Sequence, residues 1–375
     1  MKHNTTTEFL HVMPGNNHWM YQFLQQMHRP QYIGRHRFLV LTNSQTMITH
    51  YPKMLAFKDL ILLHGNDDHN LLKDKVLARN LLAAKHVIWH SFTGIAQKYA
   101  KYIKVLPGVA AKSIWIEWGE DIPVWDELTQ GRLNQRFRAI GLTFPADEEF
   151  LKEKASDYRF FQTPMPFPND CLKMIEQARP LKPFSSKAIR VQVFDGTLSM
   201  SQYSDTIQSL RGFADENIRI ILPITPGLGW NERNYISDLS ALRVLKTQAQ
   251  EWFPDKLTVL TNPRPYASLL KYMWAVDIAV YCGERPLALW NILYMLYMGK
   301  KVFLPSSSPF YSFLKNCGAQ IYDTDTISSM SFEEFSAPLA KREVPEFVLN
   351  YMDTQYVMEK WDELYSFLSS EQSAI

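Results

Sequence analysis

The stretch SIWIEWGEDIPVW, residues 113–125, sets three tryptophans and three carboxylates around one glycine. Its first half is a short apolar run and its second half is acidic. Side chains alternate along a strand, so Ile114 and Ile116 belong to one face and Trp115 and Glu117 to the other. A run that is apolar on both faces reads as a strand covered on both sides, as in a parallel sheet. Glu117 then stands either at the sheet's end or buried with a partner, because an unpaired buried carboxylate is costly. Glu120 and Asp121 follow the turn at Gly119, where they can reach a cleft.

The same reading extends outward in both directions. EFLHVMPG, RFLVLTNS, DLILLHGN, HVIWHSFTG and RAIGLTFPA are further strands of the first half. Each closes on Gly, Pro, Asn or Ser, and helical patterns such as HWMYQFLQQMH and HNLLKDKVLARNLLAAK lie between them. The second half repeats the rhythm with IRVQVFDGT, NIRIILPITPG, KLTVLTNP, VDIAVYCGE, KKVFLPSSS and AQIYDTD. LALWNILYMLYMGK is the clearest helix, stopped by Gly299. Between the halves, prolines at 164, 166, 168, 180 and 183 break regular structure and leave room for one short helix at most.

These patterns predict an α/β chain of the GT-B kind: two doubly wound, Rossmann-like domains facing across a cleft, with C-terminal helices crossing back. The boundaries read as residues 1–165 for an acceptor domain, 166–187 for a Pro-rich linker and 188–345 for a nucleotide-sugar domain. Residues 346–375 read as helices packing near the domain junction.

Composition narrows the class. With 46% hydrophobic and 21% charged residues, the 375-residue chain is globular and long enough for two cores. No apolar run approaches the roughly 20 residues of a membrane-spanning helix, and MKHNTTTEFLHV lacks an apolar signal core. Cys171, Cys282 and Cys317 are too few and too far apart for a disulfide or metal framework, which fits reduced thiols in the cytoplasm. Residues 1–113 carry 14 Lys and Arg against 5 Asp and Glu, while the rest carries 26 against 33. A basic first third suits an anionic partner, a membrane surface or a phosphate-bearing substrate, as well as plain solvated charge. Lysines interleaved with aromatic and aliphatic residues over 97–106 suit a lipid interface or an ordinary exposed helix. No nucleic-acid motif is present.

Ligands of doubly wound sheets sit beyond the carboxyl ends of the strands, and there the chain offers three groups of candidates. As donor ligands, Asp195, Gly196 and Thr197 follow one strand, with Gly196 admitting a phosphate close to the backbone. Thr225 and Gly227 lie in a loop ahead of Tyr235. Arg285 can pair with a diphosphate and Glu284 can accept from sugar or ribose hydroxyls; Asn291 and Ser307 complete the rim. As acceptor ligands, Trp118 can stack on a sugar face, beside Glu120 and His64. As catalytic groups, Asp121 or Glu117 is a base whose pKa rises among aromatic rings, and His90 ends a neighbouring strand. Tight turns, core tryptophans and local ion pairs explain the same residues without a ligand. The His and Asp groups near His64 lack a metal-ligand spacing, and Asp323-Thr324-Asp325 reads as structural, so no metal or other cofactor is expected.

Several of these stretches together resemble the bacterial 4-acetamido-4,6-dideoxygalactose transferases of enterobacterial common antigen synthesis. The similarity runs along most of the chain. It rests on His90 with Phe92, on Trp115 to Asp121 as a tryptophan-rich strand ending in W-G-x-D, and on the segment from Phe144 to Phe150. FFQTPMPFP, Pro223, Tyr235 and the ungapped span Asp277–Gly299 with Arg285 complete it. The resemblance implies a GT-B enzyme peripheral on the cytoplasmic face of the inner membrane. Such an enzyme moves a sugar from a dTDP-sugar to a polyprenyl-diphosphate-linked saccharide. Two donor loops depart from the family, reading DGTLSMS at 195–201 and PLALWN at 286–291, which leaves donor sugar and nucleotide open. A glycosyltransferase is therefore expected, acting on a lipid-linked or other cell-surface glycan; a sugar-nucleotide epimerase and a non-catalytic glycan-binding protein of the same fold are the alternatives.

Overall fold

The computed structural model describes residues 7–14, 18–42, 57, 59–64, 71–92, 101–106, 108–119, 121–122, 137–154, 157–180, 188–194, 200–223, 235–260, 266–283, 289–339 and 343–370. The chain forms two compact units, one of residues 1–169 with 353–375 and one of residues 170–352.

Among the described residues the first unit holds seven strands: β1 (Phe9–Pro14), β2 (His36–Thr42), β3 (Leu60–His64), β4 (His86–His90), β5 (Ser113–Glu117), β6 (Ala139–Leu142) and β7 (Phe160–Gln162). They pair in parallel in the order β3-β2-β1-β4-β5-β6-β7. The order reverses between β1 and β4, the arrangement in which ligands gather outside the carboxyl ends. β7 is not among the strands legible in the sequence. It is three residues long and half-buried, too short to show a period.

Both faces of this sheet are covered, which is why its strands read as unbroken apolar runs. Leu10, Val12, Trp89 and Trp115 enter one core with Leu77 and Leu81 of the helix Leu71–Ala83. Phe9, Met13, Ile114 and Ile116 enter the other with the helix His18–Met27 and the C-terminal helix Thr354–Ser370. The split of Ile114 and Ile116 from Trp115 is the alternation expected of that strand. The C-terminal helix buries Val357, Met358, Trp361, Leu364, Tyr365 and Leu368, spaced so that all six fall on one stripe. It thus returns from the end of the chain to seal the first unit's core. Gly141 of β6 lies where a Cβ would overlap Ile116 Cδ1 and Thr163 Oγ1, so a side chain there would have to displace these two neighbours.

The second unit repeats the plan with β8 (Ile189–Phe194), β9 (Ile218–Pro223), β10 (Leu257–Leu260), β11 (Ile278–Tyr281), β12 (Lys301–Leu304) and β13 (Ile321–Asp323). All pairs are parallel, in the order β10-β9-β8-β11-β12-β13. Among the described residues of the proline-rich stretch one helix forms, Cys171–Ala178, and the Trp274 indole donates to the Ile175 carbonyl at 2.8 Å, tying it to the helix Tyr266–Trp274. The helix Leu289–Tyr297 ends at Gly299, whose φ of +67° is the left-handed turn that glycine adopts at no steric cost. The three cysteines are free thiols. Among the described residues no helix is long and apolar enough to cross a membrane.

Candidate functional site

At the carboxyl end of the first sheet, β4 and β5 are neighbours, and the W-G-x-D segment leaves β5. Gly119 makes the turn with φ +79°. That folds Asp121 back beneath the strand ends, where it is fully buried. Its Oδ2 accepts from the Trp115 indole at 2.6 Å and from the Phe92 amide at 3.0 Å; its Oδ1 accepts from the Trp118 amide at 2.8 Å. The Phe92 amide reaches it because Ser91 takes a left-handed φ of +64°, a strained conformation for a residue with a Cβ. Glu117 is equally buried. It accepts from the Gly119 amide at 2.6 Å and from the Thr143 amide at 3.0 Å, while the Thr143 hydroxyl donates to the Glu117 carbonyl.

These contacts correct the expectation that Asp121 or Glu117 faces an acceptor as a base. Their carboxylates hold the ends of β4, β5 and β6 in register, with no exposed oxygen to meet a substrate. Burial raises both pKa values; for Glu117 the nearby Asp147 and Asp121 push further the same way, and for both the backbone N–H bonds pull back. Their effect is to fix Trp118, which is half-buried at the edge, its buried indole N–H meeting no acceptor among the described residues.

His90 ends β4 one layer below. It is fully buried, stacked on Trp361 at 5.5 Å and edge-on to Trp118 at 6.3 Å. The sequence singled out His90 alone, but the structure shows it as one of three. His90 Nε2 lies 2.9 Å from His11 Nδ1, and His11 Nε2 lies 3.0 Å from His36 Nδ1. Each ring also lies flat on an aromatic neighbour: His36 on Phe9 at 4.8 Å, His11 on Phe38 at 4.9 Å and His90 on Trp361. Burial pushes the imidazoles of His36 and His90 down to about 3, and that of His11 well below its usual value, so all three are neutral. Histidine in the apolar strands FLHVMP and HVIWH was the available signal for this cluster.

In the second unit, β8 and β11 flank the reversal of strand order. Phe194 and Tyr281, paired at their ends, stack at 4.7 Å and 8°. The segments that leave these strands carry Asp195, Gly196 and Thr197 on one side and Glu284 and Arg285 on the other. These five residues, with Thr225, Gly227 and Glu120, lie outside the described residues. Tyr235 opens the helix Tyr235–Trp252, and His64 closes β3; the side chains of both lie outside the described residues. Asn291 is half-buried in the helix Leu289–Tyr297, and Ser307 is exposed after β12. Beside it Ser308 caps the helix Pro309–Asn316 by accepting from the Phe310 amide. Asp323, first acid of the D-T-D, accepts from the amides of Asp325 and Ser306 at 3.1 Å and so closes a turn. No cluster of metal-ligating side chains occurs among the described residues.

No family model matches the sequence, and no curated protein matches it. Solved structures do. Anabaena HepE in complex with UDP and glucose superposes with a TM-score of 0.64 at 11% identity, over 97% of this chain and 100% of that one. Burkholderia multivorans α,α-trehalose 6-phosphate synthase gives 0.64 at 11% identity, over 98% of each chain. The UDP-forming trehalose-phosphate synthase of Burkholderia xenovorans, in complex with glucose-6-phosphate, gives 0.61 at 10% identity, over 96% of this chain and 100% of that one. Over nearly its whole length the chain therefore has the two-sheet GT-B glycosyltransferase fold.

Proposed function

We propose that this chain is a glycosyltransferase that moves a sugar from a nucleoside-diphosphate donor to an acceptor hydroxyl. The observation that carries the reading is the match of both sheets, at full length, to a protein holding UDP and glucose. The donor binds outside the carboxyl ends of β8 and β11, the place that reversed strand order reserves for ligands. Arg285 pairs with the diphosphate, with Glu284 and the Asp195-Gly196-Thr197 turn beside it. Thr225, Gly227, Tyr235, Asn291 and Ser307 complete the donor contacts. Trp118 is the sugar platform on the acceptor side, with His64 and Glu120 as further acceptor ligands, while Glu117 and Asp121 position it.

The donor nucleotide carries a pyrimidine: UDP is bound by HepE, and dTDP-linked deoxyamino sugars are the donors that the sequence resemblance implies. The same resemblance, with the basic first third of the chain, supports a polyprenyl-diphosphate-linked acceptor met at the cytoplasmic face of a bacterial inner membrane. Transfer proceeds without a metal in this reading, since Asp323 of the D-T-D is committed to a turn.

The test is a thermal-shift panel of dTDP, UDP, GDP, CMP and ADP with their common sugars. A ligand that binds only the folded state raises the melting temperature by mass action. Stabilisation by dTDP or UDP that Arg285→Ala abolishes, with an unchanged ligand-free melting temperature, is the expected result. No stabilisation by any nucleotide overturns the reading.

A further inference from the structure

The helix Leu71–Ala83 covers one face of the first sheet and keeps an outer side of its own. It turns Leu77 and Leu81 into the core, with Ala84 just past its end. Steps of four and three residues put these three on a single inward stripe. Lys75, Val76, Arg79 and Leu82 fall outside that stripe and are exposed. A surface helix ordinarily sets polar residues there. This one alternates cations with apolar side chains, Val76 at 38% and Leu82 at 51% exposure.

A second piece of chain continues the same surface. The helical turn Lys101–Val105 puts Tyr102 and Ile103 into the core that Leu77 and Leu81 enter, and leaves Val105 outside at 66% exposure. Lys112 ties the two together, its Nζ donating to the carbonyls of Leu82 at 3.0 Å and Ala84 at 2.6 Å. Leu82 and Val105 therefore belong to one outer layer. Val76, Leu82 and Val105 are three of the six large hydrophobic side chains exposed among the described residues. One such residue alone is ordinary, but three on one layer mark a contact surface.

Charge selects what that surface meets. Residues 71–85 hold Lys73, Lys75, Arg79 and Lys85 against Asp74, and residues 101–112 hold Lys101, Lys104 and Lys112 against no acid. The partner is therefore anionic. Its apolar contacts are interleaved with cations, whereas the buried centre of a protein interface is depleted of lysine. A bilayer accommodates the mixture. Each apolar side chain enters the acyl boundary singly, and each long cation keeps its charged end at the headgroups.

We propose that this layer, the outer side of Leu71–Ala83 with the turn at Val105, is the surface by which the protein lies on an anionic phospholipid bilayer. The proposal rests on the reading that the acceptor is lipid-linked, and adds where the chain meets the lipid.

The experiment is co-sedimentation of the full chain with vesicles of phosphatidylcholine alone and of phosphatidylcholine mixed equally with phosphatidylglycerol. The wild type is expected to pellet with the mixed vesicles, to stay in solution with phosphatidylcholine, and to be released as salt is raised. Lys75→Gln with Arg79→Gln is expected to lower the vesicle partition roughly 25-fold. Leu82→Ser with Val105→Ser is expected to lower it about tenfold at any salt concentration. All four positions are exposed, so each double variant should keep the wild-type melting temperature and its stabilisation by nucleotide. A wild type that stays in solution with the mixed vesicles overturns the proposal. So does binding that neither pair of substitutions weakens, which would put the lipid contact elsewhere on the chain. Weakening by the cation pair alone would mark a face for a soluble polyanion or an acidic protein, and overturns the lipid assignment too. In each of these cases the nucleotide panel still decides the glycosyltransferase reading by itself.

Discussion

Asp121 shows how one side chain settles a strand edge. Two carboxylate oxygens take three N–H donors from three places in the chain, Phe92, Trp115 and Trp118. Substituting Asn replaces one acceptor oxygen with an NH₂ group that opposes the N–H donors it faces. Losing one such charge-assisted bond and leaving a buried donor unpaired costs roughly 2–3 kcal/mol. Asp121→Asn is therefore expected to lower the unfolding free energy by about that amount in urea denaturation. A variant as stable as the wild type would return Asp121 to the role of an exposed base. At Gly141 the space is filled in the same way, since Ile116 and Thr163 close over the position. Gly141→Ala is expected to destabilise by roughly 1–3 kcal/mol through overpacking, read as a lowered denaturation midpoint; an unchanged midpoint would show that the two neighbours relax freely.

At the scale of the element, the C-terminal helix carries more than its length suggests. Trp361 is fully buried, lies flat on His90, and donates through its indole to the Pro164 carbonyl at 2.9 Å. Removing the ring opens a cavity over the histidine line, and Trp361→Ala is expected to cost about 3–5 kcal/mol. Trp361→Phe keeps a ring in place and loses the hydrogen bond, so it should cost about 1–3 kcal/mol. Chemical denaturation of the two variants separates packing from bonding; equal losses would mean that the stacked ring contributes nothing of its own.

The whole molecule should lose stability steeply in mild acid, for a reason that can be signed. His11, His36 and His90 have pKa values lowered mainly by burial, and His86 is lowered to about 4 by burial and then Arg138. The stability that these groups contribute is present above their unfolded value of about 6.5 and is lost as pH falls from there towards 3. Glu117 and Asp121 act the other way, because their raised pKa values make the folded state the better proton binder as pH falls. Four histidines outweigh two carboxyls. A net uptake of two to three protons on unfolding gives a loss of roughly 3–4 kcal/mol per pH unit near pH 5. The urea midpoint between pH 7.5 and 5 measures it, and His11→Phe should flatten the slope; a flat profile in the wild type would mean that the buried imidazoles charge without unfolding.

The sequence by itself determined the strands of both units except β7, the helix that Gly299 stops, and the repetition that makes the chain double. Burial on both faces writes itself into a strand as an unbroken apolar run, and a helix stop needs only a local glycine. It also named the residues of the first edge, Glu117, Trp118, Asp121 and His90, since polar groups in apolar strands stand out. Only the tertiary structure decided what those residues do. Glu117 and Asp121 are turned inward because amides just past the ends of β4, β5 and β6 converge on them, and no local pattern encodes a convergence of three strand ends. His11, His36 and His90 are far apart in the chain, each an isolated anomaly in its own strand. They become one hydrogen-bonded line because the sheet order sets β2, β1 and β4 side by side, and sheet order is a non-local property of packing.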